Sequence, residues 1–224
     1  MDLRKSWDFI DPTSIGNDRI HIIGCGSVGS TLAENLARFG FVNFNLYDFD
    51  KVEGHNLANQ MFSVSDIGRE KVDAVRDMIV RINPEAEGHI RLRPGGYTDQ
   101  NLGGYVFLCV DKISTRRSIT ERLMSSVDVK AMFDFRTGLT KAQHYGADWR
   151  SQKDREIFLK SMDFTDEEAD AETPMSACGV ALCVCPTVRI ICGYGASNFV
   201  NFLKGEPIKK FVLIDAFRFR VESD

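Results

Sequence analysis

Residues 19–50 read RIHIIGCGSVGSTLAENLARFGFVNFNLYDFD, and this stretch decides the fold that we predict. It begins with a β-branched apolar run at 20–23, which is typical of a buried parallel strand. The glycine-rich sequence GCGSVG follows at 24–29, and a helical pattern continues to residue 39. An apolar strand that turns through glycines into a helix is the first half of a nucleotide-binding βαβ unit.

The glycine turn carries candidate phosphate-binding residues, which are Gly24, Gly26, Ser27 and Gly29. The first glycine permits the tight turn, the second lets the backbone approach a phosphate, and the third lets the helix pack closely on the strand. The helix points its first amides at the turn and favours an anion there. The turn therefore predicts a site for the phosphates of a nucleotide.

Two acids close the second strand of the unit. This strand is predicted over residues 42–47, and Asp48 and Asp50 follow it. Asp48 lies 19 residues after Gly29, close to the separation at which a carboxylate reaches the ribose hydroxyls of a bound nucleotide. The glycine turn and these acids together predict nucleotide binding.

The bulk properties exclude several classes of protein. The chain has 224 residues, and its 28 basic and 32 acidic residues give a net charge of −4. This balance argues against a nucleic-acid partner. No apolar run approaches the length of a membrane-spanning helix, and residues 1–12 lack the pattern of a signal peptide. We therefore expect a cytoplasmic protein without a membrane partner, folded as a single domain over residues 1–224.

The six cysteines indicate reduced thiols, because no secretory leader is predicted. Four of them crowd residues 178–192, yet no C-x-x-C pair occurs in the chain. We therefore expect no structural zinc site.

A polar loop at residues 51–64 and the helix after it are expected to surround the nucleotide. The loop is longer than an ordinary connection, which indicates an ordered segment over the site. The helix is predicted to open at Ser65 and Asp66. Lys71 lies in its first turns, where the helix dipole disfavours a cation. A bound phosphate near Lys71 would explain its position.

Three further strands complete the predicted sheet, at residues 89–93, 105–110 and 129–135. The second of them runs into Asp111, and Ser114 is expected to cap the next helix. Alternating strands and helices predict an α/β fold, a doubly wound, mostly parallel Rossmann-like sheet with helices on both faces. Ligands of such sheets bind at the carboxyl ends of the strands, so Gly24, Asp48 and Asp111 are expected to share one edge.

The pattern changes beyond residue 136, where charged and apolar stretches replace the regular alternation. The expected elements are a strand at 143–146, a helix at 152–162, a mobile acidic loop after it, a buried helix at 178–203 and a last strand at 209–219. We divide the domain into an N-terminal segment (1–18), a nucleotide-binding core (19–135), a crossover segment (136–177) and the helix with the final strand (178–224).

Three further motifs follow the glycine turn and the acids, in a fixed order. They are HNLANQ at 55–60, DIGREK at 66–71 and CVDKISTR at 109–116. With these motifs the chain resembles the ThiF/MoeB/HesA superfamily, the adenylating enzymes related to ubiquitin-activating enzymes. The resemblance covers residues 19–135 and extends to the helix near residues 179–205.

The resemblance implies roles for residues at the matching positions. The glycine turn would hold the phosphates of ATP, Asp48 would take the ribose hydroxyls, and Asp111 would hold Mg²⁺. The other residues implied at the nucleotide are Asp50, Asn56, Asn59 and Lys71, of which Asn56 and Lys71 would approach the phosphates.

The resemblance also implies a reaction and a partner. The terminal carboxylate of a small ubiquitin-like or sulfur-carrier protein, or of a peptide with a free C-terminus, would attack the α-phosphate of ATP. The products would be an acyl-adenylate and pyrophosphate, and the enzyme would be a homodimer. Because both reactants are anions, Mg²⁺, a lysine and helix amides are the expected stabilisers. No general base is needed, since the carboxylate is already ionised at neutral pH.

The sequence departs from the family at residue 59. Many members have an arginine there, in an N-L-x-R-Q motif, and this chain has Asn59. We expect Arg136 to supply the missing cation, with Arg69 and Arg4 as alternatives. The predicted catalytic residues are therefore Lys71, Asp111 and Arg136.

The crossover segment also departs from members that form thioesters or persulfides, because residues 141–177 contain no cysteine. Cys178 is the nearest, and we expect it to be a packed small side chain rather than a nucleophile. Adenylation without a covalent cysteine step is the predicted activity.

Two alternatives remain open at this point. An NAD-dependent oxidoreductase shares the glycine turn and the acid, but it gives no role to Lys71 or Asp111 and no evident proton donor. Among the histidines, His21 is expected to be a satisfied strand residue, and only His55 lies in the loop over the site. A non-catalytic ThiF-like subunit is the second alternative, and Asn59 favours it.

Overall fold

The computed structural model describes residues 1–4, 8–172, 174 and 182–224. One eight-stranded sheet runs through the molecule in the order β3-β2-β1-β4-β5-β6-β7-β8. The strands are β1 Arg19–Ile23, β2 Phe44–Tyr47, β3 Arg91–Arg93, β4 Gly104–Leu108, β5 Val129–Thr137, β6 Lys141–Asp148, β7 Phe211–Asp215 and β8 Arg220–Ser223. The α-helices are α1 Ser27–Arg38, α2 Lys71–Ile82, α3 Ile113–Leu123, α4 Gln152–Lys160, α5 Asp166–Glu172 and α6 Cys185–Leu203.

The first five strands are parallel, which confirms the predicted α/β class. β1 pairs with β2 on one side and with β4 on the other, and β5 continues the parallel part beside β4. The chain therefore leaves β1 towards one side of the sheet and later returns to its other side. Open α/β sheets bind ligands in the crevice at such a switch point, outside the carboxyl ends of the strands.

Helices cover both faces of the sheet, as predicted. Successive side chains of β4 point to opposite faces, so that Phe107 joins the core under α1, α2 and α6. Val106 and Leu108 join the core under α3 and α4. The largest buried side chain of that second layer is Trp149, which is fully buried.

The helix predicted to open at Ser65 begins instead at Lys71. Val64–Asp66 form a separate 3-10 turn, in which Asp66 accepts hydrogen bonds from the amide and hydroxyl of Ser63. Gly68 follows with a φ of 87°, a left-handed conformation that interrupts any helix of L-residues. Lys71 is therefore the first residue of α2.

The acidic run after α4 is not the loop that we predicted, because Asp166–Glu172 form α5. The amide of Thr165 donates to Oε2 of Glu168 at 2.8 Å, and the amide of Glu168 donates to Oγ1 of Thr165 at 3.2 Å. This reciprocal pair is a capping box. Acids in the first turn of the helix are further stabilised by its dipole.

Ser114 does not cap α3, so this prediction is wrong. The helix begins after Lys112, and Ser114 lies inside its first turn. Asp166 of α5 accepts hydrogen bonds from the amide of Ser114 at 3.1 Å and from its hydroxyl at 2.5 Å. The cap of α3 thus comes from a residue 52 positions away in the chain.

The last third of the chain extends the sheet with antiparallel strands. The strand predicted at 143–146 is the centre of the longer β6. The last predicted strand ends too late, because the chain turns at 216–219, where Phe219 has a φ of 54°, and returns as β8. The predicted buried helix corresponds to α6, which begins later than predicted, at Cys185, because residues 182–184 are not helical; residues 178–181 lie outside the described part of the chain. The division into segments stays a prediction.

Candidate functional site

The glycine turn brings the ends of β1 and β4 together. Gly24 has a φ of 94°, and a Cβ at this position would lie 2.6 Å from the carbonyl oxygen of Cys109. A Cβ at Gly29 would lie 1.9 Å from the carbonyl oxygen of Gly24. Gly26 differs, since no atom of the described residues lies within 4 Å of its Cβ position. Gly24 and Gly29 are thus required by packing, whereas Gly26 leaves open space at the start of α1.

The N-terminus of α1 faces this space. Gly26 is the N-cap and offers no side chain to the first amides of the helix, which begins at Ser27. Such amides have no partner within their own helix, and together with the helix dipole they favour an anion. The geometry therefore fits a phosphate group at this end of α1.

Asp48 fastens the glycine turn to the end of β2. Its carboxylate accepts hydrogen bonds from the amide of Cys25 at 2.6 Å and from the amide of Asp50 at 2.8 Å. Burial raises the pKa of Asp48, and these two backbone donors oppose that rise. An ionised carboxylate has about four acceptor positions, so Asp48 retains acceptor capacity for a ligand hydroxyl.

Lys71 belongs to the same edge through Asp50. Its amide donates to the carbonyl of Asp50 at 3.0 Å, and its Nζ donates to Oδ2 of Asp50 at 2.7 Å. The lysine side chain is only 9% exposed. The carboxylate of Asp50 thus supplies the counter-charge that explains a lysine at the start of α2, without the phosphate that the sequence suggested.

The loop over residues 51–64 is ordered and tied to its surroundings. Asn56 is buried, and its Oδ1 accepts a hydrogen bond from the amide of Glu53 at 2.9 Å. Asn59 donates through Nδ2 to the carbonyl of Cys183 at 3.1 Å, which connects the loop to the chain before α6. The amide of Met61 donates to the hydroxyl of Ser30 on α1 at 3.1 Å.

Asp111 lies on the same edge, after β4, and its side chain is exposed. Its Oδ1 accepts a hydrogen bond from the amide of Lys112 at 2.9 Å. In the part of the chain that the structure describes, no group of three or more His, Cys, Asp or Glu residues could hold a metal ion. Mg²⁺ is commonly held by one or two carboxylates, substrate phosphates and water. Asp111 fits such a site, in which the phosphates would supply the remaining oxygens.

The three arginines considered in place of the family arginine all have acidic partners. Arg136 lies within β5, and its guanidinium donates to Oδ2 of Asp134 at 2.7 Å and to the carbonyl and hydroxyl of Ser161 at 2.7 and 2.9 Å. The other ion pairs are Arg69 with Asp66 and Asp77, and Arg4 with Asp2.

A cleft of about 390 Å³ lies between α3 and the connection from β3 to β4. Its lining is formed by Tyr97, Thr98, Ser114, Thr115, Ser118, Ile119 and Arg122. The ring of Tyr97 packs edge-on against Tyr47 of β2, with centroids 5.9 Å apart. Within the described residues, the buried hydroxyl of Tyr97 has no hydrogen-bond partner. No sequence pattern predicts this cleft, because its walls come from separate stretches that are ordinary in composition.

A buried ion pair between Arg116 and Asp134 was also missed. The sequence does contain a signal for this pair, because Asp134 interrupts the apolar run of β5 and Arg116 is the last residue of the third motif. A charge within a strand that is otherwise apolar indicates a buried partner.

The histidines and cysteines near the edge are mostly buried. His21 is satisfied as expected, by the carbonyl of Gly103 at 2.9 Å and the hydroxyl of Tyr47 at 3.0 Å. His55 is exposed and lies 3.4 Å from Glu53. Burial raises the pKa of the Cys25, Cys109 and Cys192 thiols, which disfavours the reactive thiolate. Cys178 lies outside the described residues.

The sheet and its helices define a Rossmann-like α/β domain, with the glycine turn and the acids at one edge of the sheet. The profile of the ThiF family matches residues 8–223, and the chain belongs to the ThiF family. This result confirms the resemblance drawn from the motifs. Among the described helices, none combines the length and the hydropathy that a membrane span requires.

The chain is similar to parts of curated enzymes. Ubiquitin-like modifier-activating enzyme 5 of Caenorhabditis elegans is 30% identical over 116 residues, which are 45% of this chain and 27% of that protein. The molybdopterin-synthase adenylyltransferase of Escherichia coli is 35% identical over 91 residues, which are 40% of this chain and 35% of that protein. The matched regions thus span about a third of these relatives or less.

Solved structures share the fold over most of the chain. The E. coli MccB structure with ATP has a TM-score of 0.69 at 16% identity, covering 95% of this chain and 65% of that one. PaaA has a TM-score of 0.69 at 17% identity, with the same coverage. At these identities the likeness shows the fold alone.

Proposed function

We propose that the chain is an ATP- and Mg²⁺-dependent adenylyltransferase that activates a terminal carboxylate of a small protein or peptide. The observation that carries the proposal is the chain of contacts that joins the glycine turn, Asp48, Asp50 and Lys71. It puts a helix N-terminus, an acid suited to ribose and a lysine side by side. The relatives named as activating enzymes and adenylyltransferases support the same class.

ATP would lie along this edge of the sheet. Its phosphates would take the open space above Gly26, and its ribose hydroxyls would donate to Asp48. The base would enter the cleft beside Tyr97, whose buried hydroxyl lacks a partner among the described residues. The ring of Tyr97 packs against Tyr47 of β2, the strand that leads into Asp48, so the cleft and the proposed ribose site would be neighbours.

Lys71 would stabilise the negative charge that builds up on the phosphates. An ammonium group has three donors, so Lys71 can keep its bond to Asp50 and still donate to a phosphate oxygen. Asn56 and Asn59 would border the nucleotide from the loop above. Asp111 would hold Mg²⁺, which when bound neutralises phosphate charge.

The reaction joins two anions. A carboxylate oxygen of the acceptor forms a bond to the α-phosphorus, and the bond from that phosphorus to the oxygen bridging to the β-phosphate breaks. Pyrophosphate leaves with the electron pair, and the acceptor becomes an acyl-adenylate. No proton is transferred, since the attacking carboxylate is ionised at neutral pH.

The names of the relatives support our proposal for the class of acceptor. A small ubiquitin-like or sulfur-carrier protein, or a peptide with a free C-terminus, would present the required carboxylate.

We propose that no covalent cysteine step follows, because residues 141–177 contain no cysteine. We also propose a cytoplasmic homodimer, to which exposed apolar residues of α6, Ile190 and Tyr194, would contribute surface. Sedimentation at several concentrations tests the dimer.

ATP–pyrophosphate exchange with Mg²⁺ tests the activity. The purified chain is assayed with a panel of small proteins and peptides that have free C-termini. Exchange that occurs only with one particular acceptor of the panel would establish adenylation and identify the substrate. Binding of NAD without binding of ATP would instead favour an oxidoreductase and overturn the proposal.

A non-catalytic ThiF-like subunit is the second candidate, and Asn59 is the observation that favours it. Its side chain is neutral and bonds to the carbonyl of Cys183, so no cation replaces the family arginine at this position. ATP binding by calorimetry, together with no exchange for any acceptor until a second protein is added, would support this reading.

Arg136 stays our prediction for the cation that compensates Asn59. A phosphate would have to compete with its present partners, Asp134 and Ser161. Arg136→Ala is expected to weaken ATP–pyrophosphate exchange, with thermal unfolding measured in parallel to separate lost activity from lost stability. Arg69→Ala and Arg4→Ala are the comparison variants. Weaker exchange in either of them, but not in Arg136→Ala, would move the role to that arginine.

A further inference from the structure

A buried ion pair lies beside the backbone that leads into Asp111, and its arginine, Arg116, has no role in the proposed function. It joins Arg116 of α3, which is 5% exposed, to Asp134 of β5, which is 0% exposed. Burying two charges is costly, and apolar residues of similar volume often serve stability as well or better. The position of the pair beside the proposed metal site therefore indicates a role other than stability.

Arg116 reaches from α3 to the end of β4. Its Nη2 donates to the carbonyl of Val110, the residue before Asp111. Its Nη1 donates to Oδ1 of Asp134 and, at 3.4 Å, to the carbonyl of Leu108. Because the guanidinium is planar and rigid, these acceptors are held in one geometry. The backbone that enters Asp111 is fixed as a result.

Asp134 fixes Arg116 in turn. One carboxylate oxygen accepts from Arg116, and the other accepts from Nε of Arg136 at 2.7 Å. The backbone carbonyl of Asp134 also accepts a hydrogen bond from Nδ1 of His144, at 3.2 Å. The carboxylate cannot rotate without breaking a charged hydrogen bond in a dry environment, which is costly.

Asp111 depends on this support because it makes few contacts of its own with the residues that the structure describes. Its side chain is exposed, and its hydrogen bond comes from the adjacent amide of Lys112. We propose that Arg116 is a positioning residue that, with Asp134 as its buried counter-ion, holds Asp111 in place for Mg²⁺. This inference rests on the proposed function. Removing groups that orient a metal ligand typically costs about 10- to 100-fold in metal affinity or activity.

The test measures how strongly Mg²⁺ tightens ATP binding. The coupling factor is the Kd of ATP in EDTA divided by its Kd in saturating Mg²⁺, both from calorimetry on the full chain. It requires neither an acceptor nor turnover. We expect a factor well above one for the wild type and near one for Asp111→Ala. Arg116→Lys keeps the charge but loses the planar fork, and it is expected to reduce the factor by about tenfold, with the Kd in EDTA unchanged.

Arg117→Lys is the matched control, because Arg117 is the next residue on α3 and pairs at the surface with Glu121 and Asp163. It should leave both Kd values unchanged. A purely structural role of Arg116 would raise the two Kd values together and leave their ratio as in the wild type, which would overturn the inference.

If thermal unfolding shows that Arg116→Lys does not fold, a second variant tests the same inference. Asp134→Asn keeps the shape of the counter-ion without its charge, and it is expected to lower the same coupling factor. A wild-type ratio in Asp134→Asn would also overturn the inference. Absence of ATP binding to the wild type, or a wild-type factor of one, would instead remove the proposed function and the inference with it.

Discussion

At the residue scale, charged side chains at the sheet edge form hydrogen bonds and ion pairs with residues that are distant in the chain. Lys71 bonds to Asp50, which lies 21 positions away, and Arg136 bonds to Ser161, which lies 25 positions away. These contacts determine which charged groups a ligand can bind without displacing a partner within the protein. Asp111 is the exception among the proposed catalytic residues, because its bond is local and its carboxylate is exposed.

Asp111→Ala is expected to abolish Mg²⁺-dependent exchange while leaving the fold intact. The carboxylate is exposed, so its loss leaves no buried group without a partner, and the melting temperature should stay close to that of the wild type. Exchange assays over a Mg²⁺ titration measure the effect. Asp170→Ala, which removes an exposed acid of α5, should retain full exchange. Unchanged turnover in Asp111→Ala would contradict the metal assignment.

Lys71→Met is expected to slow exchange by about 100-fold, as for the loss of one donor to a charged transition state. Stability should change little, because Asp50 is half exposed and water can solvate its free carboxylate. The rate of exchange and the thermal midpoint are measured together. Lys51→Met is the control, since Lys51 is an exposed lysine of the same edge, 3.6 Å from Glu70. A similar loss in both variants would show that net charge, not position, is responsible.

At the scale of elements, the start of α1 combines a packing requirement with a binding surface. Gly29 must be a glycine because the carbonyl of Gly24 occupies its Cβ position. Gly26 has an ordinary φ of −76°, and none of the residues that the structure describes fills the space around its Cβ position. Of the three glycines in this pattern, Gly24 and Gly29 are therefore set by the fold, and Gly26 is available to a ligand.

Gly29→Ala and Gly26→Ala are expected to separate these roles. Gly29→Ala should lower the free energy of unfolding by about 1–3 kcal/mol or more, because the backbone must shift to relieve the overlap. Gly26→Ala should fold normally but bind ATP more weakly, since its methyl group enters the proposed phosphate space. Urea denaturation and calorimetric ATP titration measure the two effects. Equal ATP affinity in Gly26→Ala and the wild type would argue against phosphate binding there.

At the scale of the whole molecule, two histidines are buried as neutral groups in the two layers. Burial lowers the pKa of His21 and of His144 to about 4. His144 accepts a hydrogen bond from Asn198 at 3.0 Å and donates to the carbonyl of Asp134. In the unfolded chain each histidine has a pKa of about 6.5. The unfolded state therefore binds protons between pH 6.5 and 4 that the folded state does not bind.

Acidification through this window is expected to destabilise the protein. The sign follows because the folded-state pKa is depressed, so the free energy of unfolding is highest above pH 6.5 and falls as the pH is lowered towards 4. Each histidine should cost about 2 kcal/mol at pH 5 relative to pH 7. Urea denaturation of the wild type and of His144→Gln at both pH values measures the difference.

The control for this prediction is His89→Gln, because His89 is exposed. Its stability should depend on pH as in the wild type, whereas His144→Gln should lose about 2 kcal/mol less than the wild type between pH 7 and 5. Equal losses in all three proteins would contradict the assignment.

The sequence by itself determined the parallel core and the edge that carries the candidate site. Local signals were sufficient, because a glycine turn between an apolar strand and a helix has few conformations, and acids after buried strands must lie at strand ends. A local signal for α5 was also present in the T-x-x-E pattern at 165–168, which specifies a capping box. The charge of that stretch obscured it.

Only the tertiary structure decided how the charged and capping residues are partnered. Asp50 neutralises Lys71, Asp166 caps α3, and Arg116 binds Asp134 behind Asp111. These partners lie 18 to 52 positions apart in the chain, and no periodicity or local pattern relates them. Their pairing follows from strand order and from the need to satisfy buried or confined charges, and both exist only once the sheet has assembled.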